Sequence, residues 1–409
     1  MTGLLQADAV QLPVADDSVD LVVTSPPYFA LRSYQDDGGH YAGQIGSEAS
    51  PAEFLDALWA VTSECVRVLK ASGSLWVNLG DKYAGSYGGG GASSKSTLGG
   101  GKRRMREAGG GGADCGPTRQ KSLMGLPWRY AIGCIDDLGL ILRAEVIWSK
   151  PNGLPESVTD RVRRSHEQWF HFTLEPRYFS ALDEIREPWV VASRDGRGAG
   201  KTYTADGSAN HGVGSESLGL VGADAGHPLG RLPGSVWSIP SEPLQVPDDL
   251  GVDHFAAFPQ EWPRRLILGW CPAEVCTACG EGRAPVVDKE LVDVWHDKPP
   301  ASSKHAETKD AHRNTYYGQK DTFGRTAATI TGYACACPDT TAPSTPGVVL
   351  DPFAGTGTVP MVARALGRTG IGVDLSADYL KLAAWRVFES GHASKTVART
   401  NGERQGLLL

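Results

Sequence analysis

The chain has 409 residues, 41% of them hydrophobic, which is enough for a catalytic-size core plus inserted modules. Its 40 Lys and Arg against 47 Asp and Glu give a net charge of −7, which argues against a protein that coats nucleic acid non-specifically but leaves room for a local basic cleft. No run approaches the roughly 18 apolar residues of a membrane span, and the opening MTGLLQADAVQLP lacks the basic-then-apolar order of a secretory leader, so a cytoplasmic protein without membrane contact is expected.

In chain order, residues 18–24 (SVDLVVT) read as a short strand, 51–69 as a helix and 74–79 (SLWVNL) as a second strand, the alternation of a parallel α/β sheet. Residues 82–125 turn Gly- and Ser-rich and basic, and they read as a flexible insertion holding the cluster Lys102, Arg103, Arg104 and Arg106. Structured patterning returns with a helix at 126–138 and a strand-like run, LILRAEVIWSK, that ends at Trp148 and Lys150. A second basic cluster, Arg161, Arg163 and Arg164, follows it. Residues 190–250 form a polar, variable insertion. From His254 the sequence HFAAFPQEWPRRLILGW predicts a helix entered through Pro259 and Pro263, and 271–346 differs in character from its surroundings. Strands at 347–350 and 370–373 then alternate with helices at 361–367 and 377–388. The predicted organisation is therefore two halves of one α/β domain, 1–81 with 126–189 and 347–409, with insertions at 82–125, 190–250 and 271–346 and a helical segment at 251–270.

Two segments carry chemistry. VVLDPFAGTGTVPMVARALGRTGIGVDLS sets a Gly-rich turn between a strand and a helix and ends a second strand on an acid. There Gly355 and Gly357 let the backbone turn close to a ligand, and Asp374 can accept bonds from the two hydroxyls of a ribose. A dinucleotide is disfavoured because Pro360 stands where the third glycine belongs. Thr24, Ser25, Pro26, Pro27 and Tyr28 follow a strand at its carboxyl end, where open α/β sheets bind ligands. The proline pair removes two amide donors and fixes its carbonyls. A Ser25 hydroxyl and a Pro26 carbonyl accepting both hydrogens of an aromatic amine would draw its nitrogen toward tetrahedral geometry, and Tyr28 offers a flat face for a base.

With TSPPY preceding DPFAGTGT, the chain resembles the β class of DNA amino-methyltransferases. The likeness extends to residues 6–23, to WSKPNGLPESVTDRVRRSHE and to HFAAFPQEWPRRLI. It implies a circularly permuted Rossmann-like methyltransferase fold with a mainly parallel central sheet. It implies S-adenosyl-L-methionine as cofactor, held by Asp8, Thr24, Phe258, Asp351, Pro352, Phe353, Gly355, Gly357, Thr358 and Asp374. Ser25, Pro26, Pro27 and Tyr28 would be catalytic on a base flipped from double-stranded DNA, with the variable insertions reading its sequence. The serine resembles the cytosine-N4 enzymes, where aspartate is more usual in adenine-N6 enzymes, so cytosine N4 is expected and adenine N6 is the alternative. A catalytically inactive zinc-containing DNA-binding protein is a third reading, and an RNA or small-molecule methyltransferase a fourth. The resemblance also admits a homodimer and a cognate restriction endonuclease acting on the same site. Methylation at cytosine C5 is disfavoured, since no Pro-Cys dipeptide supplies its nucleophile.

Of eight cysteines, Cys276 and Cys279 form a C-x-x-C-G turn, and Cys335 and Cys337 a C-x-C pair. In a reducing compartment such pairs point to metal rather than disulfides, and four thiolates would close one structural Zn2+ in a zinc-ribbon-like module.

Overall fold

The computed structural model describes residues 2–30, 35–36, 39–40, 43–85, 118–153, 155–188, 227–244, 246, 258–294, 324–339 and 341–389. Most of the insertion at 82–125, its basic cluster, and most of 190–250 lie outside the described residues.

The strands in chain order are β1 (Gly3–Gln6), β2 (Val19–Thr24), β3 (Gln35–Asp36), β4 (Gly39–His40), β5 (Leu69–Leu79), β6 (Ile141–Ser149), β7 (His166–Thr173), β8 (Val236–Ser238), β9 (Val275–Cys276), β10 (Ala284–Val294), β11 (Gly324–Ala334), β12 (Ser344–Thr345), β13 (Val348–Asp351) and β14 (Thr369–Asp374). The α-helices are α1 (Pro51–Val68), α2 (Leu126–Asp136), α3 (Glu261–Trp270), α4 (Thr358–Ala365) and α5 (Ala377–Ala384).

Two compact units divide the chain, the larger being residues 1–185, 234–284 and 335–409. Its sheet runs β1-β14-β13-β2-β5-β7-β6-β8. The five strands from β1 to β5 pair in parallel, β7 runs against both its neighbours, and β8 pairs parallel to β6. Strand β2 is buried at all six positions, because it lies at the centre with helices on both faces, and this is why it reads as a continuous apolar run rather than an alternating one. Helices α1 and α2 contribute Phe54, Leu58, Leu126 and Tyr130 to the core on one face, while α3 and α4 contribute Trp262, Leu266, Val359 and Val362 on the other. The chain moves outward in opposite directions from the β13/β2 boundary, through α1 to β5 and through α4 to β14. That divergence opens a crevice at the carboxyl ends of the strands.

Local sequence fixes several boundaries. Ser50 and Glu53 form a reciprocal capping box and Pro51 starts α1. Helix α3 begins at Glu261, later than the helix expected from His254, and takes Pro263 into its first turn, where a missing amide costs little. Helix α4 starts at Thr358, directly after Gly357 at φ +73°. The last helix is α-helical only to Ala384, and a π turn over Trp385–Glu389 replaces the continuous helix expected to 388. Among the described residues, no helix is long and apolar enough to cross a membrane.

The smaller unit, residues 186–233 and 285–334, contains the two-stranded sheet β10-β11 and an antiparallel bridge between Glu187 and Arg231, whose side chains also form an ion pair at 2.9 Å.

Candidate active site

At the carboxyl edge of the large sheet lies a cavity of about 290 Å³. Each of the eight strands delivers a residue to it at or just beyond its end: Ala7 after β1, Asp374 on β14, Pro352 after β13, Ser25 after β2, Asn78 on β5, Lys150 after β6 and Ser241 after β8, with Glu167 coming from the opening residues of the reversed β7. Parallel strands thus place distant sequence positions side by side. Ser25, Pro26, Pro27 and Tyr28 line the same space as Asp8, Phe258, Pro352, Phe353, Gly355, Thr358 and Asp374.

Thr24, Asp351 and Gly357 are not among the lining residues, and their surroundings explain why. The Thr24 hydroxyl donates to Asp351 Oδ1 at 2.8 Å, and the Phe353 amide donates to the same oxygen at 3.1 Å. Both side chains are buried under the floor. Burial pushes the Asp351 carboxyl up to about 7, although the Thr24 and Phe353 bonds pull the other way and the charge of Asp374 adds to the rise. Gly357 combines a left-handed backbone with close packing, since an added Cβ would stand 2.9 Å from the Ala383 Cβ. The two glycines of the turn are therefore required for different reasons. Gly355, at φ +49°, borders the cavity, whereas Gly357 lets α4 start tight against α5.

The Gly-rich turn is braced from beneath by Arg386, a buried guanidinium on the π turn. Its Nη1 donates to Thr356 Oγ1 at 2.8 Å and Thr358 Oγ1 at 2.7 Å. Burial lowers its pKa to about 10, against the raising influence of Glu242, so it is a cation at neutral pH. From the cavity side, the Asp374 carboxylate accepts the Gly355 amide at 2.8 Å and the Ser376 amide at 2.9 Å. The turn is held in shape from both sides. Carboxylates at Asp374 and Asp8, with the flat apolar surfaces of Phe258, Phe353 and Tyr379, form a donor-acceptor set suited to a nucleoside.

Around the proline pair, the Ser25 hydroxyl donates to Asn78 Oδ1 at 3.2 Å. The Tyr28 hydroxyl lies 2.7 Å from the same oxygen and 2.9 Å from Glu167 Oε2. Asn78 is oriented by its own amide, which donates to the Gln168 carbonyl at 3.0 Å. The Tyr28 ring lies close against Gly80, where an added Cβ would stand 2.6 Å from Cε2. Glu167 also pairs with Lys150, whose ammonium sits 4.0 Å above the centre of the Trp148 ring. Behind that wall Trp237, Trp262 and Trp169 stack at centroid spacings of 4.8 and 4.7 Å, and Phe258 packs edge-on to Trp169. The TSPPY and DPFAGTGT motifs do not include Asn78, Lys150 or Glu167; Lys150 and Glu167 fall inside the WSKPNGLPESVTDRVRRSHE stretch that shares the family likeness, where the sequence gives neither a role. Asn78 and Lys150 stand at the ends of strands legible in the sequence, where open α/β sheets bind ligands.

The arginines of the 161–164 loop are held close to the chain. Arg161 lies 3.9 Å over the Tyr83 ring and bonds Glu156, Arg163 donates to the Gly153 carbonyl, and Arg164 bonds the carbonyl of Asp81.

Away from the cavity, the Cys276, Cys279 and Cys337 sulfurs lie within 4.8 Å of one another, and Cys279 Sγ is 3.7 Å from Cys335 Sγ. Four sulfurs around one Zn2+ at about 2.3 Å would be spaced by about 3.8 Å; three of these sulfurs already cluster, while Cys335 stands against Cys279 outside that group of three. Gly280, at φ +75°, closes the C-x-x-C-G turn with its amide on the Cys276 carbonyl at 2.8 Å. Backbone amides of Cys279 and Ala278 lower the Cys276 thiol to about 6, the environment of a thiolate ligand.

A doubly wound, mainly parallel α/β sheet whose strand ends converge on one lined cleft defines the Rossmann-like class. Residues 19–274 and 340–384 match the N6/N4 DNA methylase family, and the chain belongs to that family. Type II methyltransferase M.XycI of Xanthomonas campestris pv. cyanopsidis is 38% identical over 188 residues, 45% of this chain and 58% of that protein. Type II methyltransferase M.Cfr9I of Citrobacter freundii is 38% identical over 187 residues, with the same coverage of 45% and 58%. The matched span is thus little more than half the length of these relatives. By fold, the chain is similar to the PvuII DNA methyltransferase (cytosine-N4-specific), with a TM-score of 0.50, 15% identity, and coverage of 99% of this chain and 94% of that one.

Proposed function

We propose that the protein transfers a methyl group from S-adenosyl-L-methionine to the exocyclic amine of a base flipped out of duplex DNA, with cytosine N4 as the acceptor. One observation carries the reading: the Ser25–Tyr28 segment and the Gly-rich turn at 352–358 line a single cavity. Its size stands near the lower end of small-ligand sites, roughly 300–1,000 Å³.

Asp374, Asp8, Phe353, Phe258 and Tyr379 would hold the cofactor, which when bound supplies an electrophilic methyl group. The chain's own part concerns the amine. Because the Ser25 proton is directed to Asn78, the lone pairs of its oxygen are left to accept an amine hydrogen, and the Pro26 carbonyl can take the other. Both bonds strengthen as the nitrogen loses its conjugation with the ring, so they favour the transition state over the ground state. Tyr28, pinned at its hydroxyl and backed by Gly80, holds a fixed plane against which a base can stack.

Serine at position 25 supports cytosine as the target, and the cytosine-N4 specificity of the PvuII enzyme agrees with it. The type II relatives support action at a defined site and a cognate restriction endonuclease. Sequence readout is assigned to the insertions at 82–125, 190–250 and 280–334. We read the sheet, with the Gly-rich half following the proline motif in sequence, as the circularly permuted methyltransferase order. The four cysteines would hold a structural Zn2+ that fastens the ends of the 271–346 insertion.

The test is transfer of tritiated methyl groups to unmethylated duplex DNA, RNA and free nucleosides, followed by mass spectrometry of the digested nucleosides. N4-methylcytosine in duplex DNA is expected, N6-methyladenine would move the acceptor, and absence of label from any duplex would overturn the reading. Ser25→Ala should abolish most turnover at unchanged cofactor affinity.

A further inference from the structure

We propose that Lys150, held by Glu167 and Trp148, donates hydrogen bonds to the ring-acceptor edge of the target base and so selects cytosine over adenine. This inference rests on the amine-methylation reading above. Trp148 and Glu167 are directly opposed in the antiparallel β6/β7 pair, so Lys150 emerges just past a register that brings it back over both side chains. The ammonium meets the Glu167 carboxylate on one side and the indole face on another. The Lys150 and Glu167 side chains are only 22% and 18% exposed, and both line the cavity wall.

An ion pair withdrawn from water to this extent loses solvation that its mutual attraction only partly restores, and two apolar side chains would brace β6 to β7 at less cost. The pair's location gives it a use that bracing does not. A lysine ammonium has three donors, and Glu167 takes one, leaving the others for an acceptor in the cavity. Glu167 Oε2 and Asn78 Oδ1, the acceptor of the Ser25 proton, both lie within reach of the one Tyr28 hydroxyl proton, at 2.9 and 2.7 Å. The charge thereby shares the cavity with the group that receives the amine, with the Tyr28 hydroxyl between the two acceptors.

Beside its exocyclic amine, cytosine presents two acceptors in succession, N3 and O2. Adenine presents N1 and then a C–H. A fixed ammonium next to the amine site can satisfy both positions on cytosine and only one on adenine, and the polar donor left facing a C–H is the source of discrimination.

The experiment uses the full chain as wild type, Lys150→Met, Lys150→Arg and Glu167→Gln. Unmethylated phage DNA and tritiated cofactor give the modified nucleoside and, after sequencing, the site. Duplexes with cytosine or adenine at the target position then give kcat/KM for each base. Lys150→Met is expected to lower kcat/KM for cytosine about 10- to 100-fold and to shrink the cytosine-to-adenine ratio by at least about tenfold, with cofactor affinity by calorimetry within about twofold. Lys150→Arg should restore part of the loss, and Glu167→Gln should reduce the ratio with a smaller change in rate. An unchanged base ratio in Lys150→Met overturns the inference, as does a parallel fall of rate, cofactor affinity and Tm in all three variants, the mark of a purely structural brace. A wild-type protein that labels adenine leaves the methyltransferase reading standing and overturns this one, whereas a wild type that labels no DNA removes the underlying reading itself.

Discussion

The Thr24 hydroxyl donates to the Asp351 carboxyl across 2.8 Å, joining two residues 327 positions apart and locking the start of the proline motif to the start of the Gly-rich turn. Neither side chain reaches the cavity, yet both segments that do reach it are positioned by this bond.

Asp351 makes stability depend on pH in an unusual direction. Its carboxyl is raised to about 7 by burial, while an unfolded Asp titrates near 3.9. Between about pH 4 and 7 the native state holds a proton that the unfolded state has released, so the contribution of this group is fully present below about pH 4 and is lost as pH rises to about 7. Asp351→Asn removes that loss while keeping the acceptor, since both the Thr24 and Phe353 bonds end on the same oxygen, Oδ1. The variant should gain on wild type from near zero at pH 4 up to a limit of about 4 kcal/mol at pH 7. Urea unfolding across pH 4–8 checks it, and parallel curves for the two proteins would contradict the assignment.

Gly80→Ala should disable Tyr28 without touching the cofactor end of the cavity. The new Cβ, 2.6 Å from ring carbon Cε2, displaces the ring and stretches the hydroxyl away from Asn78. Overpacking of this kind costs about 1–3 kcal/mol. Turnover should fall at least about tenfold while cofactor affinity holds. Single-turnover kinetics with calorimetry separates the two, and undiminished turnover would show that the ring position is immaterial.

Arg386→Met should act at the other end. The substitution keeps an apolar stem but leaves the Thr356 and Thr358 hydroxyls without their shared donor, a loss of about 1–3 kcal/mol in stability. With its underside released, the Gly-rich turn should bind cofactor at least about tenfold more weakly. Equal affinity in the variant, measured by titration calorimetry, would mean that the turn holds its shape unaided.

Atomic emission on the purified protein should find one zinc per chain, and Cys279→Ser should lower both the metal content and the thermal midpoint. Less than about 0.1 zinc per chain in a normally folded preparation would reject the site.

Much of this arrangement is legible before folding. The motif residues at 25–28 and 352–358 carry their own backbone requirements, two prolines and two glycines, so their chemistry shows in the letters alone. Asn78 carries no motif, and only its place at the end of β5 betrays it; Lys150 and Glu167 lie in the family-like stretch at 148–167, but nothing in those letters sets them apart from their neighbours. Lys150 at least follows a legible strand, whereas Glu167 is hidden more deeply. Its strand, HEQWFHFT, opens with polar residues and is central only because β5 and β6 flank it in space. A strand running against its neighbours also brings its first residues, rather than its last, to the cavity. Strand β1 escapes notice for a plainer reason: four partly exposed residues at a sheet edge leave no apolar run to read. The buried Arg386 brace is invisible too, since an arginine near the end of an amphipathic helix reads as a surface charge.

The slot that β13 fills has a cost during synthesis. Because the partner of Thr24 emerges 327 residues later, at roughly 5–20 residues per second the ribosome leaves one side of β2 unmatched for about 15–65 s. A nascent chain therefore carries a bare apolar edge on β2 throughout that interval, and this part of the sheet closes only once β13 has been made. Premature termination anywhere before residue 348 would yield a sticky fragment rather than a smaller working protein.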